Sequence, residues 1–330
     1  MTDTVLEVRN LKVVFPCAGG IIRAVEGIDL TTGRGECVGL VGESGCGKSV
    51  TALAIMKLLT TPPSVYRMDK LQLDGQDLTD LSDRQMEGVR GKHMAMIFQD
   101  AMTALNPVMT VGRQIDEIYL RHAKLGRREA RQRTIAALEL VGVPEARSRV
   151  NSYPHQLSGG MRQRVLIALA FACVPKLIIA DEPTTALDVT IQAQVLDVLK
   201  NMQRVHDVSA LLITHDLSVI VNMADRVYVM YSGKIVEAAA VQDLFAEPLH
   251  PYTQGLLASV PRISDAKKPF VQIPDTVPHP MRKPTGCYFH PRCFRSSDQC
   301  RQRMPRLKTL NDGRQIGCWH PLRQERGVRS

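Results

Sequence analysis

Short apolar runs alternate with stretches of helical periodicity from the start of the chain to about residue 245. The clearest runs span residues 37–41 (CVGLV), 176–180 (KLIIA) and 210–214 (ALLIT). Nearly unbroken apolar runs of this length are typical of parallel strands that helices cover on both faces. The pattern therefore predicts an α/β fold.

Residues 100–165 depart from this pattern. Strongly apolar runs are missing there, and segments such as 128–141 have the spacing of an amphipathic helix. We therefore predict an inserted helical subdomain over about residues 100–165.

The amino-acid composition changes again after Glu247. Eleven of the 19 prolines and four of the eight cysteines lie beyond that residue. Proline disfavours long helices and central strands. We therefore expect a main body of residues 1–250 and a small, irregular, Cys-rich C-terminal module of residues 251–330.

Charge is distributed unevenly between these parts. The net charge of +9 comes from residues 251–330, which hold 15 Lys or Arg against 5 Asp or Glu. Such a tail suits nucleic acid, anionic lipid or an acidic partner, or is simply a solvated basic face. No apolar run approaches the ~20 residues that cross a bilayer, and the first residues do not resemble a signal peptide. We therefore expect a cytosolic protein.

The segment from Gly42 to Ser49, GESGCGKS, follows one of the apolar runs. Its glycines allow backbone N–H groups to curl around phosphate oxygens at a helix N-terminus, as in a P-loop. Lys48 is expected to reach the β- and γ-phosphates, and Ser49 to bind Mg²⁺. The candidate nucleotide-binding residues are Gly42, Ser44, Gly45, Cys46, Gly47, Lys48 and Ser49.

The thiol of Cys46 is a second feature of this segment. A helix N-terminus and the neighbouring ammonium both lower a thiol pKa. We therefore expect Cys46 to be reactive, with a sheltered thiol as the alternative.

Two adjacent carboxylates, Asp181 and Glu182, end the run LIIADE. Beside a P-loop, Asp181 is placed to hold Mg²⁺, and Glu182 is the candidate general base for attack of water on the γ-phosphate. The alternative is an ordinary surface turn.

A third motif, LSGGMRQR, begins at Leu157 and predicts a helix with Ser158 as its N-cap. Ser158, Gly159 and Gly160 form another phosphate-binding arrangement. Since one nucleotide does not need two such sites from one chain, we expect each chain to lend this motif to the ATP of a partner cassette.

Together these motifs resemble the ATP-binding subunits of ABC transporters, in the peptide/nickel importer group and most closely those of dipeptide permeases. The matching elements are the P-loop, IFQD with Gln99, LSGGM, ADEPTTALD from Ala180 to Asp188, ITHD with His215, and HPYTQ from His250. The resemblance covers nearly the whole chain. It implies a P-loop NTPase of the ABC type with an inserted helical subdomain.

The resemblance also implies roles for further residues. Gln99 would bind Mg²⁺ and sense the γ-phosphate, Asp188 would couple the two ATP sites, and His215 would contact the γ-phosphate. An aromatic residue would stack on adenine. Phe15 is the candidate, with Ile22 or Arg23 as alternatives, because residues 16–22 are expected to form a loop.

The implied assembly contains two transmembrane permease subunits, an external solute-binding protein and a second ATP-binding subunit, for which a related chain is favoured over an identical one. Residues 102–107 would face the permease subunits at the cytoplasmic face of the membrane. The implied activity is ATP hydrolysis that drives import of a peptide-like or small solute, with no nucleic acid involved. The alternatives are a soluble ABC ATPase that acts on nucleic acid and, less favoured, an exporter.

Four C-terminal cysteines are spaced C-x5-C-x6-C-x17-C. Disulfides are unexpected in a reducing compartment, so the spacing and the resemblance favour a 4Fe-4S cluster, with zinc or unliganded thiols as alternatives. The candidate ligands are Cys287, Cys293, Cys300 and Cys318.

Overall fold

The computed structural model describes residues 3–185, 187–259 and 273–323. Parts of the basic, proline-rich tail, residues 260–272 and 324–330, lie outside these ranges. The chain divides into two compact units. Unit 1 comprises residues 1–7, 31–37 and 70–213, and unit 2 comprises residues 8–30, 38–69 and 214–330. Each unit is described by itself below.

A parallel set of strands forms the centre of unit 1. The strands are β7 (Met94–Ile97), β8 (Leu177–Asp181) and β9 (Ser209–Thr214). Met94 pairs with Leu177, which pairs in turn with Ser209. Every residue of the three strands is buried, which confirms the buried parallel strands predicted from the apolar runs. The short hairpin of β5 (Lys70–Leu73) and β6 (Gln76–Asp77) also belongs to this unit.

Helices make up most of the rest of unit 1. They are α2 (Asp83–Met86), α3 (Ala101–Ala104), α4 (Val111–Ile118), a π turn (Tyr119–Ala123), α5 (Arg127–Leu140), α6 (Ala146–Arg149), a 3₁₀ turn (Pro154–Gln156), α7 (Gly159–Phe171) and α8 (Val189–His206). The buried residues of α5 are Ala130, Thr134 and Leu138, at a spacing of four that places them on one face of the helix. The subdomain bounds at about residues 100 and 165 stay a prediction.

Unit 2 contains the P-loop and most of the antiparallel strands. The strands are β1 (Thr4–Cys17), β2 (Gly20–Gly33), β3 (Cys37–Val41), β4 (Val65–Arg67), β10 (Arg226–Tyr231), β11 (Lys234–Ala240), β12 (Lys308–Thr309) and β13 (Gln315–Ile316), of which β1–β3 begin or end in unit 1. Strand β3 runs parallel to β10, which turns back antiparallel into β11. The loop predicted over residues 16–22 is wrong, because β1 continues to Cys17 and β2 begins at Gly20.

The helices of unit 2 are α1 (Lys48–Ile55), α9 (Leu217–Met223), α10 (Val241–Ala246), α11 (Pro251–Ala258) and α12 (Asp298–Gln302), with a 3₁₀ turn at His290–Arg292. Residues 273–323, here called the C-terminal segment, add β13 and β12 to the edge of β11, with Ile316 opposite Glu237. A separate Cys-rich module is therefore not supported, because this segment belongs to the sheet and the compact unit of the P-loop. The domain boundary at residue 250 stays a prediction.

The start of α11 is built around buried polar groups. The carboxylate of Glu237 is fully buried, and its two oxygens accept the backbone N–H groups of Leu249 (2.7 Å) and His250 (2.9 Å). The ring of His250 caps the helix, because its Nδ1 atom accepts the N–H of Tyr252 at 3.0 Å. Pro251 occupies the first helical position, where its missing N–H has no cost. The HPYTQ motif is thus a helix start.

Among the described residues, no helix is long and apolar enough to span a membrane.

Candidate functional site

The P-loop connects β3 to α1, and neighbouring main chain encloses it closely. A Cβ atom added to Gly42 would lie 2.2 Å from the carbonyl oxygen of Met230, and one added to Gly47 would lie 2.5 Å from that of Ala24. Both glycines have positive φ angles, 156° and 110°, which residues with a side chain rarely adopt. The tight path of the loop therefore depends on glycine at these two positions.

Lys48 lies at the first position of α1 with its side chain folded back over the loop. Its Nζ atom donates to the carbonyl oxygens of Gly42 (2.8 Å) and Glu43 (3.1 Å). Ser44 and Gly45 are exposed, and Ser49 is half-buried in the first turn of α1. The ammonium is thus held over the loop, and the solvent-facing part of the loop is Ser44–Gly45. The contact of Lys48 with phosphate stays a prediction.

Cys46 does not have the environment predicted for a reactive thiol. Its side chain is 1% exposed. Burial raises the pKa of this thiol, and the opposing effect of Lys48 is the smaller one. The expected low pKa is therefore wrong, because the loss of hydration outweighs the nearby ammonium.

In unit 1, the structure brings Gln99 and Glu182 together. The carboxamide Nε2 of Gln99 and the hydroxyl of Thr185 each donate to the same carboxylate oxygen of Glu182, both at 2.9 Å. The backbone N–H of Glu182 donates to the carbonyl of Ile213 at 2.8 Å. Asp181 is the buried last residue of β8. The candidate base therefore sits at a strand end, with its carboxylate oriented by two side chains.

The predicted helix start at Ser158 is present as α7. The Ser158 hydroxyl accepts the N–H of Met161 at 3.3 Å, and Asp188 caps α8 in the same way by accepting the N–H of Ile191 at 2.9 Å. A Cβ atom on Gly160 would lie 2.6 Å from Cγ2 of Ile191. This contact, which no sequence pattern indicated, packs the SGG motif directly on the helix that Asp188 begins.

The remaining candidates lie in unit 2 with the P-loop. His215 is exposed and follows β9. Phe15 is half-buried near the end of β1, Ile22 is half-buried in β2, and Arg23 is exposed. The adenine-stacking role of Phe15 and the phosphate contact of His215 stay predictions.

Two residues hold the P-loop from the C-terminal side, in contacts that no sequence pattern indicated. Arg292 forms an ion pair with Glu43, and the hydroxyl of Tyr252 accepts the backbone N–H of Glu43 at 2.8 Å. These residues are more than 200 positions away from Glu43 along the chain. Their spacing and residue types gave no signal.

The predicted metal site at the C-terminal cysteines is wrong. In residues 3–185, 187–259 and 273–323, no group of three or more His, Cys, Asp or Glu side chains is arranged to hold a metal ion. Burial raises the pKa of Cys287 to about 11 and that of Cys318 to about 12, and it also raises the pKa of Cys293. The thiolate, not the thiol, is the metal ligand. Neither the 4Fe-4S cluster nor zinc at Cys287, Cys293, Cys300 and Cys318 is supported.

Two family models match the chain. The model for ABC transporters matches residues 25–185. The model for the C-terminal region of oligopeptide/dipeptide transporters matches residues 236–300.

Similar proteins extend over almost the whole chain. The oligopeptide transport ATP-binding protein AppD of Bacillus subtilis (strain 168) is 49% identical over 326 residues, which cover 99% of each chain. The dipeptide transport ATP-binding protein DppD of Escherichia coli (strain K12) is 47% identical over 317 residues, 96% of this chain and 97% of that one. Among solved structures, the dimeric ATP-binding cassette MJ0796 in a post-hydrolysis state with ADP and Pi has a TM-score of 0.63 at 26% identity, covering 72% of this chain and 98% of that one.

Proposed function

The chain belongs to the ATP-binding subunits of ABC transporters of the oligopeptide/dipeptide group, and from this premise we propose that it hydrolyses MgATP to drive import of a peptide-like solute. The observation that carries the proposal is the sequence identity of 47–49% over at least 96% of the chain, which includes the match to the C-terminal region of oligopeptide/dipeptide transporters. The comparisons do not support the alternative of a soluble ABC ATPase that acts on nucleic acid.

Within this proposal, the P-loop binds the phosphates of ATP. Backbone N–H groups and Lys48 offset the phosphate charge, and the ammonium exchanges its carbonyl contacts for phosphate oxygens. The hydroxyl of Ser49, the carboxylate of Asp181 and the carboxamide of Gln99 are oxygen donors of the kind that Mg²⁺ prefers. These residues would hold Mg²⁺, which would neutralise charge that develops on the transferred phosphoryl group.

Glu182 acts as the general base. Its carboxylate accepts a proton from the attacking water while the water oxygen bonds to the γ-phosphorus and the bond to the leaving ADP oxygen breaks. Gln99 and Thr185 both donate to one carboxylate oxygen of Glu182, and these two bonds fix the orientation of the base. His215 contacts the γ-phosphate.

We also propose the assembly in which this subunit works. The Ser158–Gly160 motif binds the ATP of a second ATP-binding subunit, a related chain rather than an identical one, and Asp188 couples the two sites. Two permease subunits bind the surface at residues 102–107, where Met102 is 54% exposed, and an external protein delivers the solute. The subunit then lies at the cytoplasmic face of the membrane. Residues 1–250 form the ABC domain, with the helical subdomain at about 100–165, and residues 251–330 form its extension.

The first test is ATP hydrolysis by Glu182→Gln. Removal of a general base lowers turnover by a factor of about 100 or more while nucleotide affinity is retained, and the variant accumulates as a closed, ATP-bound dimer. Exposed Glu139→Gln is the matched control and should hydrolyse ATP normally. Near-normal turnover of Glu182→Gln contradicts the assigned base. Co-purification with nucleic acid and not with permease subunits contradicts the transport role.

A further inference from the structure

Glu43 places a carboxylate inside the P-loop itself. The guanidinium of Arg292 grips this carboxylate with two parallel hydrogen bonds, from Nη1 to one oxygen at 2.7 Å and from Nη2 to the other at 2.9 Å. The Arg292 side chain is 2% exposed, whereas that of Glu43 is 27% exposed. Bidentate pairs of this kind combine charge with fixed geometry.

The guanidinium is held in place by groups other than Glu43. Its Nε atom donates to the carbonyl oxygen of Pro274 at 2.8 Å. The rings of Tyr231 and Phe289 both lie 5.9 Å from its central carbon. Arg292 itself ends the 3₁₀ turn at His290–Arg292. The cation is thus a fixed part of the C-terminal segment, and Glu43 docks onto it.

The backbone of the loop is tied to the same side. The N–H of Glu43 donates to the hydroxyl of Tyr252, so this N–H is already engaged and does not face phosphate. The carbonyl of Cys46 accepts the N–H of Gly233 at 2.8 Å. Lys283 of the C-terminal segment donates to the carbonyl of Ser232, next to Gly233, at 2.7 Å. The loop is therefore anchored directly at Glu43, and at Cys46 through the turn that contains Ser232 and Gly233.

An anionic side chain in a phosphate-binding loop opposes the binding of a polyanion, unless its charge is compensated. We propose that Arg292 is a positioning residue for the nucleotide site, which neutralises the Glu43 carboxylate and docks it away from the phosphates of ATP. This inference rests on the proposed binding of ATP by the P-loop. It gives the C-terminal segment a direct part in setting nucleotide affinity.

The experiment measures binding of a fluorescent ATP analogue, together with KM and kcat for hydrolysis, in the full chain. In Arg292→Met, Glu43 keeps its charge without its partner. We expect Kd and KM for MgATP to rise at least about tenfold, because one uncompensated negative charge near the phosphates repels them at the effective dielectric of a protein surface. We expect kcat to stay within about twofold, because the base and its neighbours are untouched. Added salt should reduce the difference from wild type.

Removal of the Glu43 carboxylate should restore the ATP affinity that Arg292→Met loses. The double variant Glu43→Gln with Arg292→Met should bind ATP nearly as wild type does, and Arg292→Lys should recover part of the affinity through its charge alone. Arg314→Met is the matched control, because this arginine of the C-terminal segment is 8% exposed and pairs with Asp312 instead of the P-loop. Its affinity for ATP should be that of wild type.

Three outcomes overturn the proposal: equal affinities of Arg292→Met and Arg314→Met, a double variant as weak as Arg292→Met, or a loss that salt does not change. If Arg292→Met does not fold, Glu43→Gln alone decides. The proposal requires it to bind ATP at least as tightly as wild type, and weaker binding refutes it. Failure of the wild-type chain to bind ATP would instead refute the proposed function.

Discussion

The buried ring of His250 makes the stability of this protein depend on pH. Burial lowers the pKa of His250 to about 3, from an ordinary value of 6.5. Nδ1 accepts the N–H of Tyr252, so the proton of the neutral ring is on Nε2, which has no hydrogen-bond partner within the described residues. The folded state therefore excludes a second proton that the unfolded state binds below pH 6.5.

The sign and size of the change in unfolding free energy with pH follow from the difference in the pKa of His250 between the folded and unfolded states. A group whose pKa is lowered in this way contributes stability that is fully present above pH 6.5 and is lost as the pH falls toward 3. Each pH unit below 6.5 costs about 1.4 kcal/mol, so the loss between pH 7.5 and pH 5 is about 2 kcal/mol. Burial also raises the pKa of Glu237, which opposes this trend, so the assay must isolate the histidine.

The assay is urea unfolding of wild type and His250→Asn at pH 7.5 and pH 5. Asparagine keeps an oxygen that can accept the N–H of Tyr252 but does not titrate, and Glu237 is common to both chains. Wild type should lose about 2 kcal/mol more than the variant on acidification. His279→Asn is the matched control, because exposed His279 makes the same kind of bond, to Met281 at 3.3 Å. Equal pH dependence of wild type and His250→Asn would refute the reasoning.

Three further results follow from the structure. Glu237→Gln puts an amide donor opposite one of the two backbone N–H groups that donate to the carboxylate. The free energy of unfolding, measured in urea titrations, should therefore fall by about 2–4 kcal/mol. An unchanged value would show that these two hydrogen bonds do not contribute to stability. In native protein, peptide mapping after brief maleimide treatment should find exposed Cys17 labelled and buried Cys46 unlabelled, and equal labelling would contradict the burial. Gly160→Ala forces a methyl group against Ile191 and should lower the ATPase activity of the assembled transporter about tenfold or more, with little loss of ATP binding. Normal activity would show that the packing of the SGG motif on α8 is not needed for hydrolysis.

The fold could be predicted from the sequence because apolar runs and recognisable motifs occur in the same segments of the chain. The buried strand β8 is an unbroken apolar run that ends in two carboxylates, and that arrangement is visible in any reading of residues 177–182. From the sequence, Gln99 and Glu182 could be proposed only as two separate candidates and not as a pair, since they are 83 positions apart along the chain.

The errors have a common physical origin. For Cys46, local electrostatics predicted a lowered pKa, but desolvation depends on the tertiary environment and outweighed it. The cysteine spacing likewise carried no information on burial, which keeps thiols such as Cys318 protonated. The Glu43–Arg292 pair was invisible for the same reason, because only the folded chain brings the two residues together.

The contacts that confine the P-loop also limit how mutations in it can be repaired. The nearest atoms that a Cβ atom at Gly42 or Gly47 would strike are the carbonyl oxygens of Met230 (2.2 Å) and Ala24 (2.5 Å), respectively. Every amino acid carries that oxygen, so no replacement at either neighbouring position removes the collision. A genetic screen for second-site suppressors of Gly42→Ala or Gly47→Ala should therefore return only true revertants. By contrast, Gly160 meets a side chain, Ile191, and smaller residues at that position can restore its function.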